Sequence, residues 1–354
     1  MRSNPMPSLA VLTATILMAT MAGGCRSRAA ESNLPPLALD PGRVAVAGIS
    51  SGAAMAQQAH FAFSDRLLGA GLISGPPYGC AEGDLSTALG RCMKGEPDAP
   101  DVVKLAERAK SLAEAGKIAT LDGLNGDRVW VMHGASDVTV KEIVARASYA
   151  IYQALEREVE QPPVTGMELV WDAKRDIGHA WPTLDKGVAC TTTEAPYIAS
   201  CGFDAAHAML ETLYGAAPEE AAQAPRGQIH VFDQNAYRPK GEDAYLADEG
   251  MLYVPPQCAE GNRCGALIAF HGCEQNAASL ERRFVEETGL NRWADAYDLV
   301  VVYPQTRASF MPLNPKACWD WWGYSGADYD TRDGRQLAWL AGLTAALGIP
   351  LDAR

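Results

Sequence analysis

The sequence predicts an α/β architecture, a single mostly parallel sheet with helices on both faces. Three observations carry that expectation. Short apolar runs such as Val44–Ala47, Val129–Met132, Ala266–His271 and Leu299–Tyr303 read as fully buried strands, separated by stretches with helical periodicity. The pentapeptide Gly48-Ile49-Ser50-Ser51-Gly52 links the first of these runs to a plausible helix, Ala53–Phe63, giving strand, sharp turn and helix in succession. And 48% of the 354 residues are apolar, enough to bury both faces of a sheet.

Taken in order, the chain opens on a segment that does not belong to the fold. Arg2, the apolar run Leu9–Met21 and the small residues Ala22-Gly23-Gly24 before Cys25 have the form of an export signal. The run is too short for a membrane-spanning helix. The small-small-Cys ending resembles a bacterial lipoprotein signal, with Cys25 lipidated and membrane attachment through it. Residues 1–25 are therefore expected to be a signal segment, with a lipidated Cys25 becoming the new first residue, and 26–354 to form one domain, periplasmic, at the cell surface or secreted. Nine cysteines fit that location. Setting Cys25 aside leaves eight, and sequence proximity pairs Cys80 with Cys92, Cys190 with Cys201, and Cys258 with Cys264, leaving Cys273 with Cys318. Zinc is the competing use of cysteine, but the spacings form no paired C-x-x-C knuckles.

Beyond the first helix, Leu67–Ser74 reads as the next strand, followed by an irregular stretch around Gly75-Pro76-Pro77. Asp98–Ala115 is an amphipathic helix with Val102, Leu105 and Leu112 on one face and Asp98 or Asp101 near its start. The strand Val129–Met132, a helix over Val138–Leu155, the strand Met167–Trp171, a polar loop and a helix over Cys201–Tyr214 follow. Residues 216–227, rich in Ala, Pro and Glu, look like a linker. After it come strands near Gln228–Asp233, Met251–Val254, Ala266–His271 and Leu299–Tyr303, with helices near Phe284–Tyr297 and Gly334–Leu347.

The turn at Ser50 has the form of a nucleophile elbow, in which a strained strand-to-helix turn lifts a serine hydroxyl clear of the sheet. In an ordinary α/β-hydrolase the strand carrying the oxyanion loop precedes the nucleophile. Here only about two dozen residues separate the signal from Ser50, too few for the missing strands. The second half supplies them: the apolar strand ending in Phe270-His271-Gly272-Cys273 is the expected setting for an oxyanion amide. The simplest account is a circular permutation, with the linker as the join between old termini and both halves in one sheet.

A serine nucleophile needs a base, and the base needs a carboxylate to hold its tautomer. Of the six histidines, His179 follows a strand in the loop Ile177–Pro182, where this fold places the base. His60 and His207 lie in helices, His133 looks packed beside Gly134, and His271 belongs to the oxyanion loop. Asp137 follows the strand Val129–Met132 and keeps the order Ser, Asp, His, although an Asp there also serves as a helix cap. Asp172 and Asp176 are the fallback acids, and Asp127 lies at the wrong end of its strand.

The blocks Gly48–Gly52, His133–Asp137, Gly178–Pro182, Phe270–Cys273 and Asn314-Pro-Lys-Ala-Cys-Trp-Asp-Trp-Trp-Gly-Tyr324 together resemble the circularly permuted poly(3-hydroxybutyrate) depolymerases, in that family's order and over most of the chain after the signal. The resemblance implies Ser50 as nucleophile, Asp137 as acid, His179 as base, and the amides of Ser51 and Cys273 as the oxyanion hole. It implies a single catalytic domain without a separate polymer-binding module, and an exported serine esterase acting on short-chain polyhydroxyalkanoates through an acyl-enzyme. Trp319, Trp321, Trp322 and Tyr324, with Asn314, are the expected substrate contacts; tryptophans at this density either fill a core or wall an apolar crevice. Alternation suggests that one of Trp321 and Trp322 faces inward and the other outward. Two departures stand out, Ala53 where many relatives carry glycine and the acidic residues around Glu219 and Glu242–Asp248. Such chemistry needs no metal or organic cofactor, and a net charge of −13 argues against nucleic acid as partner. The alternatives are an esterase of the same fold on soluble or aromatic, feruloyl-like esters or another polyester, and an inactive lipid-anchored binding protein.

Overall fold

The computed structural model describes Met1 and residues 33–156, 164–217, 221–239 and 241–352. The segment read as an export signal, apart from Met1 but including Cys25, and part of the predicted join at 216–227 lie outside the described residues.

Eleven strands occur among the described residues. The first half contributes β1 (Leu39–Ile49), β2 (Gly69–Ile73), β3 (Arg128–Met132), β4 (Glu168–Asp172), β5 (Trp181–Thr183), β6 (Val188–Ala189) and β7 (Ile198–Ser200). The second contributes β8 (Gln228–Asp233), β9 (Glu249–Val254), β10 (Cys264–Phe270) and β11 (Leu299–Tyr303). Eight of them form one sheet in the order β4-β3-β2-β1-β10-β11-β9-β8, while β5, β7 and β6 form a small separate sheet. All pairings from β4 to β11 are parallel, and only β9 runs against its neighbours. The two halves meet at the centre, where β1 pairs with β10 through Val44–Gly48 against Ala266–Phe270. The strand that leads to Ser50 is thus the first strand in sequence and a middle strand in space, as a circularly permuted α/β-hydrolase requires.

Strand sequences explain why both faces are covered. Val44 and Val46 point into one apolar cluster, and Ala45, Ala47 and Ile49 into the other, because side chains alternate along a strand. On the first face β1 supports helix α1 (Ser51–Ala62), and the helix Arg335–Ala346 lies beside it. On the other lie Ala205–Tyr214 and Leu290–Tyr297, with Met209 and Leu210 fully buried. Helix α1 is so deeply set that all twelve of its residues are buried, which accounts for its run of Ala and its lack of a polar face.

The helix expected over Phe284–Tyr297 is two helices, Arg283–Glu287 and Leu290–Tyr297, divided at Gly289, whose φ of 82° no continuous helix admits. The helix expected from Val138 begins only at Glu142, and the one from Asp98 begins at Val102 under an Asp101 cap. The irregular stretch after β2 contains two short helices, Leu85–Leu89 and Arg91–Lys94. The four disulfides Cys80–Cys92, Cys190–Cys201, Cys258–Cys264 and Cys273–Cys318 are formed as proximity predicts.

Candidate active site

The elbow is built by close backbone approach. A Cβ at Gly48 would lie 2.3 Å from the Gly52 carbonyl oxygen, and one at Gly52 only 2.2 Å from that of Phe270 on β10. Both positions therefore exclude every side chain. Between them Ser50 adopts φ 56° and ψ −122°, a strained conformation for a residue with a Cβ. Its amide is held by the Ile73 carbonyl at 2.9 Å. Ser51 is the first residue of α1, so its amide has no acceptor within the helix.

The opposite wall comes from the loop after β10. Gly272 donates to Gln275 Oε1 at 2.8 Å and Glu274 to the Lys316 carbonyl at 2.7 Å, while among the described residues no protein acceptor takes the Cys273 amide between them. The loop abuts the serine: a Cβ at Gly272 would lie 3.4 Å from that of Ser50. Fully buried His271 fixes the loop's plane. Its Nδ1 lies 2.7 Å from the Gly272 carbonyl and must donate to it, leaving Nε2 to accept from the Thr306 amide at 3.2 Å. Burial lowers this imidazole from 6.5 to about 4, so it stays neutral at ordinary pH.

His179 and Asp137 meet as the sequence order predicts. His179 Nδ1 lies 2.7 Å from Asp137 Oδ2. The other carboxylate oxygen accepts from the amides of Thr139 and Val140 at 2.8 and 3.0 Å. So one oxygen of Asp137 caps the following turn while the other is bonded to His179. Burial pushes this carboxyl up, but the bond and charge of His179, the Ser74 hydroxyl and His133 outweigh it and leave it below the usual range. The backbone of His179 is fixed by Thr193 Oγ1 at 2.8 Å. His133 is packed, with Nε2 2.9 Å from the Val140 carbonyl. The fallback acids are engaged elsewhere, Asp172 with Arg175 and Asp176 with the Ser136 hydroxyl. Asp127 lies far from this centre in the fold and pairs with buried His60 at 2.9 Å.

Ser50 and His179 open into one cavity of about 490 Å³. Asn314, Trp321 and Trp322 line it, so three of the five expected substrate contacts stand on its wall. Trp319 does not. It is fully buried and packs edge-on against Phe270, at a centroid distance of 4.9 Å, as part of the core. Tyr324 is likewise absent from the wall, and its hydroxyl donates to the Cys318 carbonyl at 2.9 Å. The predicted in-and-out alternation of Trp321 and Trp322 also fails. Both line the cavity with rings edge to face at 5.6 Å, because this segment is a series of bends rather than a strand. The indole N–H of Trp321 is buried and has no acceptor among the described residues.

Sequence reasoning missed the remainder of the wall. Leu85, Leu89 and Met93 reach it from the two short helices that Cys80–Cys92 closes off, and that cysteine pair was the only available sign of order there. Thr193 and Tyr197 reach it from the loop closed by Cys190–Cys201. Just before the lining residues Leu313 and Asn314 in sequence, Phe310 and Met311 are 83% and 93% exposed, and Leu313 itself is 53% exposed. Among the described residues no cluster of His, Cys, Asp and Glu has the arrangement of a metal site.

Residues 249–345 match the family described as "Esterase PHB depolymerase". A poly(3-hydroxybutyrate) depolymerase of Delftia acidovorans is 36% identical over 321 residues, covering 89% of this chain but only 61% of that protein. The chain thus spans less than two thirds of that relative's length. A polyhydroxybutyrate depolymerase of Talaromyces funiculosus is 31% identical over 331 residues, covering 89% of this chain and 92% of the relative. Among solved structures, a PHB depolymerase from Penicillium funiculosum superimposes with a TM-score of 0.79 at 28% identity, over 90% of this chain and 99% of that one. A serine-to-alanine PHB depolymerase complexed with an R3HB trimer gives 0.78 at 28% identity, over 90% and 98%.

Proposed function

The chain belongs to the PHB depolymerase esterase family, and from that premise we propose that it is an exported serine esterase hydrolysing poly(3-hydroxybutyrate) or a related short-chain polyhydroxyalkanoate. The observation that carries this reading is the convergence of a strained Ser50 and an Asp137-held His179 on the wall of one largely apolar cavity. Ser50 Oγ attacks the ester carbonyl as His179 Nε2 takes its proton. Asp137 keeps the other ring nitrogen protonated and stabilises the imidazolium. The developing oxyanion is received by the amides of Ser51 and Cys273, and losing one such donor costs about 10²–10³ in rate. His179 then protonates the leaving alkoxide, the hydroxyl-bearing fragment departs, and water activated by the same imidazole releases the acyl half from Ser50.

Polyester as substrate is supported by the character of the wall and of the rim. Trp321 and Trp322 offer apolar area for an aliphatic chain, and an ester carbonyl would satisfy the unmatched Trp321 N–H. The exposed Phe310 and Met311, just before the lining Leu313 in sequence, are what an enzyme working at a solid apolar surface needs and a soluble-ester enzyme does not. Export is supported by the signal-like N-terminus and by four disulfides, which persist in an oxidising compartment; Cys25 is then the lipid anchor.

The test is clearing of a poly(3-hydroxybutyrate) suspension by the protein lacking its signal, with Ser50→Ala beside it. Clearing by the native sequence and a loss of about 10⁶ in rate for the variant is the expected result. Failure of both to clear, with retained hydrolysis of aryl esters, would sink the polyester assignment in favour of soluble esters.

A further inference from the structure

Between the two wall tryptophans and the core tryptophan Trp319 stands Asp320, a residue that the catalytic scheme does not use. It is 1% exposed, and among the described residues no ion pair reaches it. Four successive backbone amides surround its carboxylate instead. Oδ1 accepts from Trp322, Gly323 and Tyr324 at 3.3, 2.7 and 3.0 Å, and Oδ2 from Ser325 at 2.7 Å. Burial pushes the carboxyl up, against the pull of the Ser325 hydroxyl and of these amides. A buried anion without a cation is costly to keep, and its hydrogen bonds are of the strong, charge-assisted kind. What it holds is the tight turn that carries Trp322, closed at Gly323 with φ 88°.

The same residue fixes this turn to the catalytic framework. Its carbonyl accepts from Gln58 Nε2 at 2.9 Å, and Gln58 belongs to α1, the helix that follows Ser50. Its amide donates to Gln336 Oε1 at 2.9 Å, and the Gln336 side-chain amide lies 2.9 Å from the Tyr324 hydroxyl. The distance from the nucleophile to the aromatic wall is therefore set through Asp320. It does not line the cavity that holds Ser50 and His179.

We propose that Asp320 is a positioning residue for polyester-chain binding, holding the Trp321–Trp322 wall at a fixed place relative to Ser50. The proposal rests on the esterase function above and deepens it. Because the serine, the His179–Asp137 pair and the oxyanion amides do not contact this carboxylate, its loss alters how the chain seats before it alters the bond-breaking step. Asp320→Asn keeps the shape but replaces one acceptor oxygen by an NH₂ donor. Whichever way the amide is turned, a donor then faces at least one backbone N–H, and the turn opens.

The experiment is steady-state hydrolysis of a soluble 3-hydroxybutyrate trimer by the wild type, Asp320→Asn and Gly323→Ala. Gly323→Ala disturbs the same turn by its positive φ and leaves the carboxylate in place, so it carries the test if the asparagine variant does not fold. Both variants are expected to raise KM about tenfold while kcat falls less than about threefold, the pattern of lost ground-state and transition-state binding in equal measure. A purely structural role predicts a different pattern, with kcat and thermal stability falling together and KM unmoved. That result, or unchanged kinetics in the folded variants, would overturn the proposal. A wild type that cleaves aryl esters but not the trimer would instead remove the functional premise, and the inference with it.

Discussion

A neutral histidine buried in the loop that precedes Cys273 has a measurable cost in acid. His271 has a folded-state pKa of about 4 against an ordinary 6.5, so the unfolded chain takes up this proton first. Its stabilising effect is complete above pH 6.5 and is lost as pH falls from there toward 4. Between pH 7 and pH 5 the loss attributable to this residue is about 2 kcal/mol. Urea unfolding of the wild type and His271→Gln at the two pH values checks it: the variant is less stable at pH 7, but its stability should fall by about 2 kcal/mol less. Equal pH slopes would contradict the buried-imidazole account. At the same scale, Asp137 illustrates how one carboxylate can make two kinds of contact at once. Its two oxygens divide the work, one fixing the turn at Thr139 and Val140 and the other orienting His179.

Elements meet at the site because cross-links hold loops that carry no regular structure. Cys273–Cys318 spans 45 residues and joins the loop after β10 to the segment bearing Trp319, Trp321 and Trp322. Closing a loop of that length stabilises by about 4 kcal/mol in the chain-entropy account. The double variant Cys273→Ser, Cys318→Ser is expected to lose about 3–4 kcal/mol in denaturant unfolding. It should also clear polymer more slowly, although the Ser51 and Cys273 amides proposed to receive the oxyanion are still present in its backbone. Unchanged stability and clearing would mean that packing of Trp319 on Phe270 already fixes the two loops. Helix α1 makes the complementary point. It needs no polar face because β1 and the helices around it enclose it completely, so its Ala-rich sequence reports burial rather than amphipathic character.

Across the whole molecule, one sheet assembled from both halves puts the loops bearing Ser50, Asp137 and His179 at the ends of its parallel strands, and the exposed Phe310 and Met311 just precede the cavity-lining Leu313 in sequence. Burying two such side chains against polymer is worth about 2 kcal/mol each at most. Phe310→Ser with Met311→Ser should therefore weaken adsorption to a polyester film by about tenfold or more, measured as protein depleted from solution. Hydrolysis of the soluble trimer should be little changed. Unaltered adsorption would assign surface contact to a different part of the rim, such as Leu89 or Val138.

Local chemistry determined much of this protein in advance. A strand-to-helix turn that excludes side chains at Gly48 and Gly52, an apolar strand running into His271-Gly272-Cys273, and eight cysteines in pairs all leave their mark in consecutive residues, because each depends on backbone geometry or short loop closure. The permutation was legible in the order of the parts: the apolar strand running into His271-Gly272 follows Ser50 in sequence, yet it lies beside the strand that leads to Ser50. Which aromatic residues face the cavity was not legible. Trp319, Trp321, Trp322 and Tyr324 have similar chemistry, and the bends that send Trp319 into the core and Trp321 and Trp322 to the wall are set by contacts with Phe270, Gln58 and Gln336, all distant in sequence. The same holds for Leu85, Leu89, Met93, Thr193 and Tyr197, which reach the cavity from loops without period or motif. Periodicity and motif record what neighbours in the chain require of one another; the shape of a cavity is decided by residues that meet only when the sheet has closed.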